Sequence, residues 1–127
     1  MTLPLGQAAA CSPGRIASAA PECVVFHCAS GKDRTGLVAL VLLTLAGAGP
    51  DEIIADYLPS YDRLKRRYDE MGAPDQLTAV NEFLASRGTT IEASLAATIA
   101  SLTMPGFLLE NGLSGTELAA LRARLIA

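Results

Sequence analysis

The sequence lacks tryptophan and has one histidine, and aromatic residues make up only 5% of its 127 residues. So few flat side chains argue against a stacking platform for single-stranded nucleic acid. A single histidine cannot complete a Cys2His2 zinc set. Charged residues are also scarce, at 18%, and ten basic against thirteen acidic residues leave a net charge of −3. This balance argues against general electrostatic binding to nucleic acid.

Cysteine and long apolar runs are sparse as well. The three cysteines, Cys11, Cys23 and Cys28, are an odd number without C-x-x-C spacing, so they do not describe a disulfide framework. We therefore expect reduced thiols and a cytoplasmic location. The most apolar run, residues 37–48, is too short to span a bilayer. Residues 1–4 carry no basic residue, so no signal peptide is expected.

The sequence does have apolar residues, at 50%, which is enough for the core of one small domain. We expect residues 1–127 to form a single domain. Residues 1–22 are rich in Ala, Ser, Pro and Gly and predict a low-complexity, flexible lead-in with a short helix over residues 15–20. Residues 23–27 are β-branched and aromatic, which predicts a buried strand with Cys23 in the core.

Beyond this segment the pattern is helical, with apolar stripes at helical spacing. Helices are predicted over residues 35–47, 50–58, 60–71, 74–88, 89–102 and 114–125. Thr89 with Glu92, and Ser114 with Glu117, have the spacing of capping boxes. The predicted fold class is α/β, a strand, a loop and a buried helix followed by several α-helices. A lone strand cannot satisfy its own backbone groups. We therefore expect a partial domain. Its sheet would be completed either by strands within residues 1–22 or by further chain.

The loop over residues 27–36 carries the chemistry. Between a strand and a helix, successive backbone N–H groups converge on one concavity, which suits an anion. Gly31 permits a positive φ, and Arg34 offers a planar fork for phosphate oxygens. Cys28 lies at the loop entrance, where we expect a lowered thiol pKa and a nucleophilic thiolate. The Thr35 hydroxyl is placed to donate a hydrogen bond to that thiolate. A Walker-type loop does not fit, because Phe26 stands where its first glycine is required and Asp33 where a serine or threonine is required.

These residues match the C-x5-R-[ST] signature of the cysteine-dependent phosphatases. The whole loop resembles the H-C-x-x-G-K-D-R-T-G loop of a bacterial tyrosine phosphatase family whose members also act on phosphoinositides. The resemblance continues through residues 53–58 and 112–114 and covers about residues 14–127. It implies a cysteine-phosphatase-like fold, here in part, because family members also have an N-terminal half with further strands and an acid-bearing loop.

The resemblance implies phosphomonoester hydrolysis through a phosphocysteine intermediate, without metal or cofactor. Cys28 would be the nucleophile and Arg34 the phosphate clamp. Substrate contacts would come from Ala29, Ser30, Gly31, Lys32 and Thr35. The implied partners are a phosphorylated protein, with phosphotyrosine, or a phosphoinositide. Self-association or a missing N-terminal half would complete the domain.

Several roles have two readings from the sequence. Asp33 is either the general acid or a carboxylate that braces the loop. His27 either orders the loop or is an ordinary strand-end histidine. Lys32 is either a second anion contact or a solvated charge. The basic residues of the 60–71 helix are either a solvated face or a lipid-headgroup patch. Two other functions also fit the loop: a phosphate-binding module without turnover, and thiol chemistry like that of rhodaneses or arsenate reductases.

Overall fold

The computed structural model describes the backbone of residues 5–126 and the side chains of residues 12–126. Eight α-helices make up the regular structure of that part of the chain. They are α1 (Leu5–Ser18), α2 (Asp33–Ala46), α3 (Pro50–Tyr57), α4 (Pro59–Glu70), α5 (Gln76–Ala85), α6 (Ile91–Ser101), α7 (Gly106–Glu110) and α8 (Gly115–Leu125). None of these helices is long and apolar enough to cross a membrane.

The buried helix predicted after the loop is α2, and it lies at the centre of the packing. Its buried side chains fall into two clusters, one shared with α1, α7 and α8 and the other with α3 and α6. Val41, Leu108 and Leu121 are fully buried in the first cluster. Leu40, Ile53 and Ile99 form the second. Since both clusters contact α2, they fix the helix whose N-terminus follows the loop.

The predicted strand over residues 23–27 is absent, and the structure has no strand anywhere in residues 5–126. No backbone hydrogen bond to the described residues is made by this segment. Cys23 is exposed, so its predicted place in the core is wrong, and Val25 is 83% exposed. Val24 alone packs against the core. A strand needs a neighbour for its N–H and C=O groups, and none lies in this part of the chain.

The lead-in over residues 1–22 also differs from expectation. The helix α1 begins at Leu5, well before the predicted short helix, and Ile16 and Ala17 on it are buried in the core. Burial against α8 stabilises this helix, since its sequence carries only a weak pattern of its own. Residues 1–4, which are part of the predicted lead-in, lie outside the described residues.

The ends of the later helices follow capping chemistry. The capping box at the start of α8 is confirmed: the Glu117 amide donates to Ser114 Oγ at 3.2 Å, and the Ser114 amide donates to Glu117 Oε2 at 2.9 Å. The predicted box of Thr89 with Glu92 is wrong. The N-cap of α6 is Thr90, whose hydroxyl oxygen accepts from the Ala93 amide at 3.1 Å. The helix therefore begins one residue later than predicted, which is possible because either threonine can serve as an N-cap.

Candidate active site

The loop before α2 combines a left-handed glycine with the start of a helix. Gly31 adopts a φ of +70°, which is the left-handed conformation that the sequence predicted. The Gly36 amide donates to the Lys32 carbonyl at 2.9 Å and so starts the helical hydrogen-bond ladder. The remaining amides at this helix end have no helical partner of their own. They therefore suit a negative group near the N-terminus of α2.

The Cys28 thiol is one group on which these amides act. Its thiol pKa is lowered from 9.0 to about 6. The largest cause is a hydrogen bond from the Thr35 side chain, followed by the backbone amide of Thr35 and smaller contributions from the amides of Gly31 and Ser30. All of them favour the thiolate over the thiol. At neutral pH, Cys28 is therefore mostly a thiolate held by the loop.

Thr35 owes this role to its position in the first turn of α2. Its Oγ1 is buried and has no hydrogen-bond partner within normal distance among the described residues. A buried hydroxyl without a partner is costly. The Thr35 side chain is also the largest cause of the lowered Cys28 pKa, so the Cys28 thiolate is the group that this hydroxyl stabilises.

The lowered pKa predicts the pH dependence of alkylation. The rate at which iodoacetamide labels Cys28 should rise with pH, reach half its maximum near pH 6 and be nearly constant above neutral pH, because only the thiolate reacts. Tandem mass spectrometry resolves Cys28 from the exposed Cys23, which is the internal reference. Inorganic phosphate should protect Cys28 and leave Cys23 unprotected. The same pH profile for Cys28 in the native and urea-unfolded chain would contradict the interpretation.

Four further residues of the predicted site lie at the open side of the loop. His27, Ala29 and Arg34 are exposed, and Ser30 is half-buried. The Arg34 guanidinium makes no ion pair or hydrogen bond with any residue that the structure describes. Its five donors are therefore available to an anion. The roles of these residues toward a substrate stay predictions.

Lys32 is neither solvated nor free. Its side chain is 5% exposed and its Nζ donates to Gln76 Oε1 at 3.0 Å. The same Nζ lies 4.3 Å from the centroid of the Tyr61 ring and 3.4 Å from Asp33 Oδ1. Lys32 thus ties the loop to α4 and α5. The contact of this residue with a substrate stays a prediction.

Gln76 was not predicted as part of the site. It lies 44 residues after Lys32 along the chain, and no motif marks it. Asp33, by contrast, is where the sequence put it, at the first position of α2, with its side chain 74% exposed. A carboxylate at a helix N-terminus is favourable, and the adjacent lysine adds to that. These contacts fit a brace, while the exposure leaves the carboxylate accessible to a leaving group.

Two basic residues of α4 form ion pairs with acidic residues of the same helix. Lys65 pairs with Asp69 at 3.0 Å and Arg66 with Glu70 at 2.9 Å, each four residues apart and exposed. The hydrogen bond that Lys65 donates to the Asp69 carboxylate holds the pKa of Lys65 above its usual range. Such pairs stabilise a helix by about 0.2–0.5 kcal/mol. They are typical of a solvated helix face, which was one of the two predictions for this helix.

Gly36 lets α3 approach the loop closely. A Cβ at this position would lie 2.7 Å from Tyr57 Cε2, well inside van der Waals contact. The Tyr57 ring packs edge-on against Tyr61 at a centroid distance of 6.0 Å, and burial raises the Tyr57 pKa. A cavity of about 200 Å³ beside this contact is lined by Thr35, Tyr57 and Arg63 among others.

Replacing Gly36 by alanine should therefore destabilise the fold. Overpacking costs about 1–3 kcal/mol, and the better helix propensity of alanine returns about 0.8–1.0 kcal/mol. Urea unfolding should give a lower free energy of unfolding for Gly36→Ala, and the added Tyr57→Leu change should restore part of the loss. Gly115→Ala is the control, since a Cβ there has no neighbour within 4 Å. A Gly36→Ala protein as stable as the parent would refute the close contact.

The chain is similar in sequence to known phosphatases. The triple specificity protein phosphatase PtpB of Mycobacterium tuberculosis is 29% identical over 131 aligned positions, which cover 85% of this chain and 45% of the relative. A putative tyrosine-protein phosphatase of Cupriavidus necator is 52% identical over 40 residues, or 32% of this chain and 15% of the relative. A tyrosine-protein phosphatase of Nostoc commune is 51% identical over 43 residues, or 34% of this chain and 15% of the relative. This chain spans less than half the length of these relatives. No solved structure matches it significantly.

The sequence profile of the tyrosine phosphatase family matches residues 11–127. This match includes the whole loop from His27 to Gly36 and all the helices from α2 onward. It agrees with the resemblance that the loop motif carried. The chain belongs to the tyrosine phosphatase family.

Proposed function

We propose that this chain hydrolyses phosphomonoesters through a phosphocysteine intermediate. The observation that carries the proposal is the lowered pKa of Cys28, to about 6, beside the amides at the N-terminus of α2. A thiolate next to an anion-binding turn is suited to attack a phosphorus atom that the same amides hold. Membership in the tyrosine phosphatase family supports this chemistry.

The reaction has two steps. In the first, Cys28 Sγ forms a bond to phosphorus while the bond from phosphorus to the ester oxygen breaks, and an acid protonates the departing oxygen. In the second, water attacks phosphorus, the S–P bond breaks, and phosphate and the thiolate are released. Arg34 and the loop amides hold the phosphoryl oxygens and stabilise the charge of the transition state. Hydrogen bonding by Thr35 stabilises Cys28 as the leaving group of the second step.

The substrates we propose are phosphorylated proteins, with phosphotyrosine first, or phosphoinositides. Two relatives are named tyrosine-protein phosphatases and a third a triple specificity protein phosphatase, which supports a phosphoprotein substrate. The exposure of the loop supports a bulky substrate rather than an enclosed small molecule. Phosphate release from a phosphotyrosyl peptide, a phosphoseryl peptide and a short-chain phosphoinositide, at matched concentrations, separates these classes.

The direct test is phosphate release from p-nitrophenyl phosphate by the purified chain. We expect turnover above the buffer rate and inhibition by vanadate. Phosphate binding without turnover would instead identify a binding module. Sulfur transfer from thiosulfate to cyanide, or thiol-dependent arsenate reduction, would identify thiol chemistry of the other kind. Either result would overturn the proposal.

Asp33 is the candidate acid, and its test uses leaving groups of different basicity. A general acid contributes about 10²–10⁴-fold when the leaving oxygen is basic. Asp33→Asn should therefore slow phenyl phosphate hydrolysis much more than p-nitrophenyl phosphate hydrolysis, since p-nitrophenolate leaves without a proton. The control is Asp62→Asn, an exposed carboxylate on α4. Equal losses on both substrates would assign Asp33 to bracing the loop through Lys32.

A further inference from the structure

Arg124, near the end of α8, reaches back across more than 100 residues to the chain that precedes the active-site loop. Its guanidinium donates hydrogen bonds to three backbone carbonyls, those of Ala19, Ala20 and Glu22. The contact with Ala20 measures 2.6 Å and the one with Glu22 measures 3.4 Å. The Arg124 side chain is half-buried.

These carbonyls form the turn that follows α1. They come directly after Ser18, where α1 ends, and the Glu22 amide donates to the Ala20 carbonyl at 2.7 Å. Carbonyls at the end of a helix have no helical partner, and a cation there is favourable. A planar guanidinium can serve several acceptors at once, which an ammonium on a flexible stem does less well. One side chain therefore fixes this turn.

The turn leads straight into residues 23–28, which end at the nucleophile. Backbone hydrogen bonds to the described residues are missing along that segment, and Val25 is 83% exposed. The position of its backbone is therefore fixed by the contacts at its two ends and by the partial burial of Val24. The far end is α2, held in the core. The near end is the turn that Arg124 binds.

We propose that Arg124 is a positioning residue for Cys28: it holds the 19–22 turn so that the following segment delivers the thiol to the amides before α2. Arg124 itself does not touch the substrate. Its role in catalysis rests on the proposed function, but its effect on the position of Cys28 does not.

The experiment measures Cys28 alkylation by iodoacetamide as a function of pH in three variants. Arg124→Gln removes the charge and most of the donors, and Arg124→Lys keeps the charge without the planar fork. Arg122→Gln is the matched control, an exposed arginine on the same helix. We expect Arg124→Gln to lower the labelling rate at pH 6 by about threefold or more, because the thiol moves away from its donors. Arg124→Lys should fall between the parent and Arg124→Gln, and Arg122→Gln should match the parent.

Thermal unfolding separates positioning from stability. A lower melting temperature for Arg124→Gln with an unchanged alkylation profile would overturn the proposal, since a purely structural contact predicts that result. Should Arg124→Gln fail to fold by circular dichroism, Arg124→Lys decides, and a parental profile for it would overturn the proposal too. Alkylation needs no turnover, so a chain that releases no phosphate still tests Arg124. Where turnover is measurable, kcat should fall more than KM changes.

Discussion

Replacing Cys28 by serine should abolish phosphate release from p-nitrophenyl phosphate while leaving phosphate binding intact. The hydroxyl of serine does not ionise at neutral pH, so the attacking group is lost, whereas the amides of the loop remain in place. Removal of the nucleophile in a covalent catalyst costs up to about 10⁶-fold in kcat, and we expect a loss of this order. Turnover is read from p-nitrophenol and binding from calorimetric titration with phosphate or vanadate.

The control for this change is Cys23→Ser. Cys23 lies five residues earlier and is free and exposed. Cys23→Ser should keep parental turnover and parental protection of Cys28 by phosphate. Turnover retained in the Cys28→Ser protein would exclude a phosphocysteine intermediate.

Arg34→Lys should cost nearly as much as the loss of a transition-state donor. Lysine keeps the charge but loses the planar fork that fits two phosphoryl oxygens at once. Donors of this kind contribute about 2.7–4 kcal/mol, or 10²–10³-fold in kcat. Arg34 makes no ion pair among the described residues, so its loss should act on the phosphoryl group and leave the fold unchanged.

The measurements for Arg34 are kcat, KM and the melting temperature. The Arg122→Lys protein carries the same substitution at an exposed position on α8 and should behave as the parent. We expect kcat to fall in Arg34→Lys at a parental melting temperature. A loss under about threefold, or ~0.7 kcal/mol, would mean that Arg34 does not contact the phosphoryl group.

The candidate loop could be recognised in the sequence because its parts lie close together in the chain. A turn of consecutive amides, a glycine that takes a positive φ, and a cysteine at the entrance are all encoded within residues 27–36. The buried helix after the loop follows from its apolar sequence, and the capping box of Ser114 with Glu117 follows from local spacing. In each case the interacting groups are at most a few residues apart, so local patterns determine them.

The strand and the helix α1 could not be predicted correctly, because each depends on a distant partner. Residues 23–27 have strand-forming side chains, but strand pairing needs a neighbour that the described chain does not supply. The helix α1 has a weak pattern and is stabilised by burial against α8, about 100 residues away. Intrinsic propensity alone favours a strand at residues 23–27 and gives little support to a long helix at α1. The structure shows the opposite outcome for both segments, because tertiary contacts outweigh propensity.

The sequence by itself determined the nucleophile candidate, the positive φ of Gly31 and the helix behind the loop, since these depend on neighbouring residues. Only the tertiary structure decided how the loop is supported. Gln76 binds Lys32 from α5, Tyr57 packs on Gly36 from α3, and Arg124 holds the entry turn from α8. These contacts join residues 21 to 105 positions apart. No local pattern encodes them, because each exists only where the packing of the helices brings two distant side chains or backbones within reach.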